Sequence, residues 1–302
     1  MVQVSVIIVN YNTFQLTSEA VESVVRHTKG VSYEIIVVDN ASTECDAGLF
    51  AEKFGDGITL VRNVDNSGFA KGNNLGIKHS TGETILLFNS DAVCLNDALT
   101  ITYQALQATP RLGVTTARLE YPDGRLQPQC GRFPSVRLQL FELLRLQKLL
   151  PAAAAGRILQ GAFFDHESDL EPDWVWGTYF HFKREVLAKL PGGQLPDDFF
   201  MYAEDLEWSH AIRQLGYGIR YVAAAKVLHY FSQSMKKEKK LNQQSMILEN
   251  ESVFLRRAYG PLHSRAYYLT RWLLLNSTGP ANAQQQQLRS QYGRLLRGES
   301  LA

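Results

Sequence analysis

Residues Ile85-Leu86-Leu87-Phe88-Asn89-Ser90-Asp91-Ala92 join an apolar run of strand length to a single aspartate with small polar neighbours. In an open α/β sheet, ligands bind just beyond the carboxyl ends of the strands. A carboxylate delivered there suits a hard divalent cation, and such a cation suits a diphosphate. The same aspartate also suits a cap for the helix expected near Leu95 to Gln107. Asp39 repeats the pattern after a second apolar run, Glu34 to Val38. A carboxylate there can accept from a ribose hydroxyl or a base N–H. The composition of Asp39-Asn40-Ala41-Ser42 also fits a plain turn.

Three further segments carry polar chemistry. Asn66 to Gly76 is glycine-rich, opens a helix and contains Lys71. Helix N-termini attract phosphate, and a lysine adds charge. The glycine spacing matches neither a Walker loop nor the dinucleotide fingerprint. Close helix packing over Gly68, Gly72 and Gly76 is the alternative, and the two roles are compatible. Phe199 to Trp208 sets Glu204 and Asp205 at a helix start, where the dipole favours acids. The aromatic residues around them suit a cleft that binds a sugar face and raises a carboxylate pKa. A general base for a hydroxyl nucleophile needs those properties. His229 ends Val227-Leu228-His229; it is either a structural histidine or a partner of Asp91 at a metal or diphosphate.

The strands and helices that carry these residues show as patterns. Val4 to Val9, Glu34 to Val38, Ile58 to Val61 and Ile85 to Phe88 are short apolar strands. They alternate with helices expected at Leu16 to His27, Phe50 to Phe54 and Ala70 to His79. That alternation predicts an α/β fold with a mostly parallel sheet buried on both faces. Tyr121 to Arg125 reads as a turn in a hairpin. Leu138 to Leu150 reads as an amphipathic helix, and Ala152 to Ala155 as a helix or linker. An apolar segment runs from Trp174 to Phe182. Asp205 to Leu215 is a helix closed near Gly216. Ile219 to Val222 and Lys226 to Leu228 are two short strands. Beyond Lys236 the chain is helical, so the expected division is 1–235 and 236–302.

The 302 residues suffice for a large core, and 45% of them are hydrophobic. The net charge of +1 argues against a general nucleic-acid binder. No apolar run reaches transmembrane length, and Met1 to Ser5 lacks the features of a signal peptide. Cys45, Cys94 and Cys130 have neither zinc nor disulfide spacing, which suits a reducing cytoplasm.

Together these pieces resemble the family 2 glycosyltransferases of GT-A fold, and most of all their rhamnosyltransferase-like bacterial branch. The matching stretches are Val6 to Asn12, Val37 to Ser42, Asn66 to Gly76, Phe88 to Ala92, Asp123-Gly124, Arg132 to Ser135, Glu204-Asp205 and His229. The resemblance covers Val4 to about Ser234. It implies a nucleoside-diphosphate sugar donor, dTDP-rhamnose or a UDP-sugar, and an inverting transfer to a glycan or lipid-linked glycan. It implies that Asp39 binds the base or ribose. Asp91 would hold Mg²⁺ or Mn²⁺ with His229, and Asp205 would be the base beside Glu204. Asn10, Tyr11, Asn66, Lys71, Asn89 and Ser90 are the further donor contacts; Trp176 and Gly177 are the acceptor contacts. The family's two-aspartate metal motif appears here as Asn89-Ser90-Asp91. The Gln-x-x-Arg-Trp signature of processive synthases is absent, so the expected enzyme adds one or a few sugars. A nucleotidyltransferase and a non-catalytic carbohydrate-binding protein are the alternatives. The tail, with Lys236, Lys237, Lys239 and Lys240, is expected either to touch the inner membrane face or to pack as protein, including as a homodimer contact.

Overall fold

The computed structural model describes residues 1–230, 237–277 and 282–301. The chain forms two compact units, one from 1–131 with 166–233, the other from 132–165 with 234–302. The expected boundary near 235 kept 132–165 with the sheet; by compactness those residues group with the tail.

The first unit begins β1 (Val4–Asn10), α1 (Phe14–His27), β2 (Tyr33–Asp39), α2 (Gly48–Phe54), β3 (Thr59–Arg62), α3 (Phe69–Lys78) and β4 (Thr84–Phe88). β5 (Ala92–Cys94), α4 (Ala98–Ala108), β6 (Leu112–Glu120), β7 (Leu126–Gln127) and β8 (Cys130–Gly131) follow. In chain order the remaining elements are α5 (Val136–Leu143), α6 (Ala152–Leu159), β9 (Trp174–Val175), β10 (Tyr179–Lys183), α7 (Glu204–Gln214), β11 (Gly218–His229), α8 (Lys237–Ser277) and α9 (Ala283–Arg297).

The main sheet has the order β3-β2-β1-β4-β10-β6-β11-β5, with β7 on β6. β3, β2, β1 and β4 run parallel, as do β6 and β11. β10 is antiparallel to both its neighbours, and β5 to β11. The fold is therefore mixed α/β with the predicted parallel half intact. Val6, Ile7 and Ile8 on β1 are all fully buried, as strands covered on both faces require. One buried histidine belongs to this core. His181 on β10 shares its two ring nitrogens with Thr102 Oγ1 at 2.8 Å and Thr84 Oγ1 at 2.9 Å. Burial pushes its pKa down to about 3, so it stays neutral.

Two boundaries differ from the sequence reading. The expected strands at 219–222 and 226–228 are one strand, β11, with a register shift between Val222 and Lys226. The extra residues 223–225 form a bulge held by side-chain acceptors: Ala223 N–H, within it, donates to Asp169 Oδ1, and Lys226 N–H, where pairing resumes, to Asn96 Oδ1. The helix expected through Leu150 stops at Leu143. Arg145 takes a left-handed backbone, φ +55°, and a 3₁₀ turn follows. The leucines there surround the axis instead of forming one stripe, so no single face holds a longer helix together. The expected hairpin is present, closed by Tyr121 N–H to Arg125 O at 2.8 Å.

In the second unit α8 packs on α5 and α9 and is interrupted at Gly260, φ +82°. Phe254, Leu255, Tyr267, Tyr268 and Leu274 are buried. Lys236, and the side chains of Lys237, Lys239 and Lys240, lie outside the described residues. Among the described helices none is long and apolar enough to cross a membrane.

Candidate active site

Strand direction decides where the polar residues meet. β1, β2 and β4 are parallel, so Asn10, Asp39 and Asn89 leave the sheet at one rim. β10 runs the other way, so the residues before it, Gly177 and Thr178, return to that rim. β6 again follows the direction of β4, and β11 that of β6, which brings His229 there as well.

Asn10 and Asp39 are register partners. Asn10 Nδ2 donates to Asp39 Oδ1 and to Ser42 Oγ, both at 2.9 Å. Ser42 N–H reaches Asp39 Oδ2 at 3.3 Å. Both residues are buried, so the carboxylate is fixed at the foot of the rim. Asn66 shapes the neighbouring loop. Its Oδ1 accepts from Asn40 Nδ2 at 2.8 Å and from Gly68 N–H at 3.1 Å. Gly68, at φ +85°, lets α3 start against the Phe200 carbonyl, which accepts from Phe69 N–H at 2.9 Å. Lys71 lies exposed on the first turn of α3, and Tyr11 is 45% exposed.

The turn after β4 holds Asn89, Ser90 and Asp91. Asn89 N–H donates to Thr178 O at 3.0 Å, and Thr13 Oγ1 donates to Ser90 Oγ at 3.2 Å. Asn89 Oδ1 is buried and meets no donor among the described residues. Asp91 Oδ1 lies 3.1 Å from His229 Nε2. The β11–β5 pairing sets this distance, because His229 is opposite Ala92 and Tyr230 N–H bonds Asp91 O. Adjacent ligands on an octahedral cation with bonds of about 2.1 Å are about 3.0 Å apart, so the pair fits one edge of such a site. The same spacing fits an imidazolium–carboxylate hydrogen bond. Among the described residues no group of three or more His, Cys, Asp and Glu side chains converges on one cation position.

Asp205 sits in the first turn of α7. Its Oδ2 accepts from Gly177 N–H at 3.1 Å and its Oδ1 from Leu206 N–H at 2.8 Å. The carboxylate is half-buried. Burial pushes its pKa upward, and the two backbone donors pull it partly back. Glu204 is buried more deeply; burial first, and the charge of Asp205 second, hold its carboxyl well above the usual range. A Cβ at Gly177 would meet Phe69 at 3.1 Å and Trp208 at 3.7 Å, two rings that stack with centroids 6.0 Å apart. Trp176 is half-buried against the core, and its backbone N–H donates to Gln129 O at 2.9 Å.

The structure thus joins Asn10 with Asp39, Asp91 with His229, and Gly177 with Asp205. Tyr11 and Lys71 lie at the rim without entering those pairs. Sequence reading missed Gln127, whose Oε1 accepts from His229 Nδ1 at 2.6 Å, and Thr17, whose hydroxyl anchors Asn10 Oδ1 at 2.9 Å. A glutamine on a two-residue strand carries no signal in the sequence.

A family model, Glycosyl transferase family 2, matches residues 5–190. The chain belongs to that family. This family 2 glycosyltransferase is 25% identical over 230 residues to the low-salt glycan biosynthesis hexosyltransferase Agl10 of Haloferax volcanii, covering 74% of the chain and 66% of the relative. The chain spans less than two thirds of the length of the first curated relatives it matches. Two solved structures share the fold. The mannosyltransferase PcManGT of Pyrobaculum calidifontis, in complex with GDP-Man and Mn²⁺, aligns at 20% identity and TM-score 0.58 over 98% of this chain and 84% of that one. GalNAc-T7 with UDP, GalNAc and Mn²⁺ aligns at 14% identity and TM-score 0.61 over 97% and 55%. The strand-end rim described above is the glycosyltransferase's candidate active site.

Proposed function

We propose that this family 2 glycosyltransferase is an inverting, non-processive hexosyltransferase. It moves a sugar from a nucleoside-diphosphate donor to a hydroxyl of a glycan or lipid-linked glycan in cell-surface polysaccharide synthesis. The observation that carries the reading is Asp205, held through both oxygens by backbone N–H groups and raised toward neutrality by burial. Each oxygen keeps a lone pair for an acceptor proton. A base of that kind suits single displacement at the anomeric carbon.

The roles of the other residues follow from their places. Asp39, oriented by Asn10, accepts from the donor's base or ribose. Asn66 and Lys71 flank the donor at the start of α3, and Asn89, Ser90 and Tyr11 line the same rim. Asp91 and His229 are the residues that would hold Mg²⁺ or Mn²⁺, which when bound neutralises charge on the leaving diphosphate. Glu204 stays protonated beside Asp205 and so spares the base a like-charged neighbour. Trp176 and Phe69, both half-buried beside Gly177, offer apolar surface for the acceptor, and fully buried Trp208 backs the Phe69 ring. In this reading the enzyme works in the cytoplasm, at the inner face of the membrane when its acceptor is lipid-linked.

The donor is taken as dTDP-rhamnose first and a UDP-sugar second, because Asp39 can accept a pyrimidine N3–H. PcManGT carries GDP-Man, so guanosine is the competitor to exclude. Displacement of a labelled nucleotide by dTDP, UDP and GDP in the presence of Mn²⁺ tests this. Stronger displacement by dTDP or UDP is expected; stronger displacement by GDP overturns the donor assignment.

A further inference from the structure

Arg137, Leu140 and Leu144 share one face of α5, since steps of three and four residues return to the same side of a helix. All three are exposed, Leu140 at 41% and Leu144 at 65%. Left-handed Arg145 then ends the helix, and the 3₁₀ turn Leu146–Leu149 sets Lys148 and Leu149 outward, Leu149 at 79%. Leu150 and the following Pro151, Ala152 and Ala153 are exposed too. The inner side of α5 is already occupied: it packs on α8 of the same unit, where Arg271 donates to Gln139 Oε1 at 3.4 Å.

Single exposed leucines are ordinary. Here four of them, at 140, 144, 149 and 150, alternate with exposed cations. Within 137–150 the cations are Arg137, Arg145 and Lys148, all exposed, and the single acid, Glu142, is half-buried. A second copy of this chain would set the same cations against each other across a two-fold axis. A bilayer's headgroup layer accepts both components, apolar side chains below and basic groups at the phosphates. The apolar residues of α8, by contrast, are largely spent inside the helical unit.

We propose that the exposed leucine and basic face of residues 137–150 docks the enzyme on an anionic phospholipid surface. The proposal rests on the reading above only for its purpose, meeting a lipid-linked acceptor; the surface itself is argued from its own residues.

Sedimentation of the full chain with vesicles of phosphatidylglycerol and phosphatidylcholine tests it, with donor hydrolysis and thermal melting measured in parallel. Co-sedimentation at low salt is expected, weakening as salt screens the cations. Leu144→Glu with Leu149→Glu should weaken binding about tenfold or more, because each leucine loses an apolar insertion. Arg137→Glu with Lys148→Glu should weaken it comparably and flatten the salt dependence. All four positions are exposed, so melting and donor hydrolysis should stay as in the parent. The proposal is overturned if the parent stays in the supernatant, binds neutral vesicles equally well, or pellets unchanged in both double variants. A parent chain that hydrolyses donor but does not bind vesicles overturns the docking surface alone. Vesicle binding without donor hydrolysis would instead count against the transferase reading.

Discussion

Gln127 and His229 are joined by a 2.6 Å hydrogen bond between two buried side chains 102 positions apart. The amide oxygen can only accept, so the Nδ1 proton is engaged and Nε2 is the nitrogen turned to Asp91. A partner on one ring nitrogen fixes the orientation of the other. Gln127→Leu should therefore weaken Mn²⁺ binding in the presence of a nucleoside diphosphate by roughly tenfold to a hundredfold. Gln127→Glu, which still accepts from Nδ1–H, should bind near the parent level, and Asp91→Ala should abolish the binding. Titration followed by the Mn²⁺ paramagnetic resonance signal checks this; parent affinity in Gln127→Leu would reduce Gln127 to a packing role.

Asp205→Asn should lower kcat by roughly 10²–10⁴ while donor affinity is retained. Asparagine keeps the size and one of the two acceptor oxygens but cannot take the proton. Glu204→Gln, replacing a neutral acid by a neutral amide, should change kcat little. Single-turnover kinetics on both variants separates the roles; the reverse ranking would move the base to Glu204.

The same pair makes stability depend on pH. Burial raises both carboxyls above their unfolded values of about 4. The folded chain then binds these protons more tightly than the unfolded chain. Their contribution is fully present below the unfolded values and is lost as pH rises through the folded ones. Melting temperature should fall from mildly acidic to mildly alkaline pH. Glu204→Gln should flatten that fall, gaining most on the alkaline side; an unchanged profile in calorimetry would mean Glu204 ionises without cost.

Gly68→Ala should be destabilising well beyond its single methyl. The backbone sits at φ +85°, and an added Cβ would lie 2.3 Å from the Phe200 carbonyl oxygen. The backbone conformation alone costs about 1–3 kcal/mol in a non-glycine residue. Urea unfolding should register at least that loss, with weaker donor binding as α3 shifts. Parent-like stability would show that the loop repacks freely.

Local patterning was enough for the elements and for the residues at their ends. Val4 to Val9, Glu34 to Val38 and Ile85 to Phe88 are apolar runs whose burial is favourable wherever they pair, so their strands were legible. Asp39 and Asp91 were visible as the polar stops of those runs. Tertiary structure decided which stops meet. His229 faces Asp91 because β11 pairs with β5, a three-residue strand with no sequence pattern, and because a bulge after Val222 resets the register. Asp205 meets Gly177 because antiparallel β10 returns the chain to the rim. The leucines of 138–150 and the tail's aromatics look alike as apolar residues within helical sequence. Packing inside the helical unit buried Phe254, Leu255, Tyr267 and Tyr268 and left Leu144 and Leu149 outside. Periodicity records that a face is apolar; only the partner it finds in space fixes whether that face is core or surface.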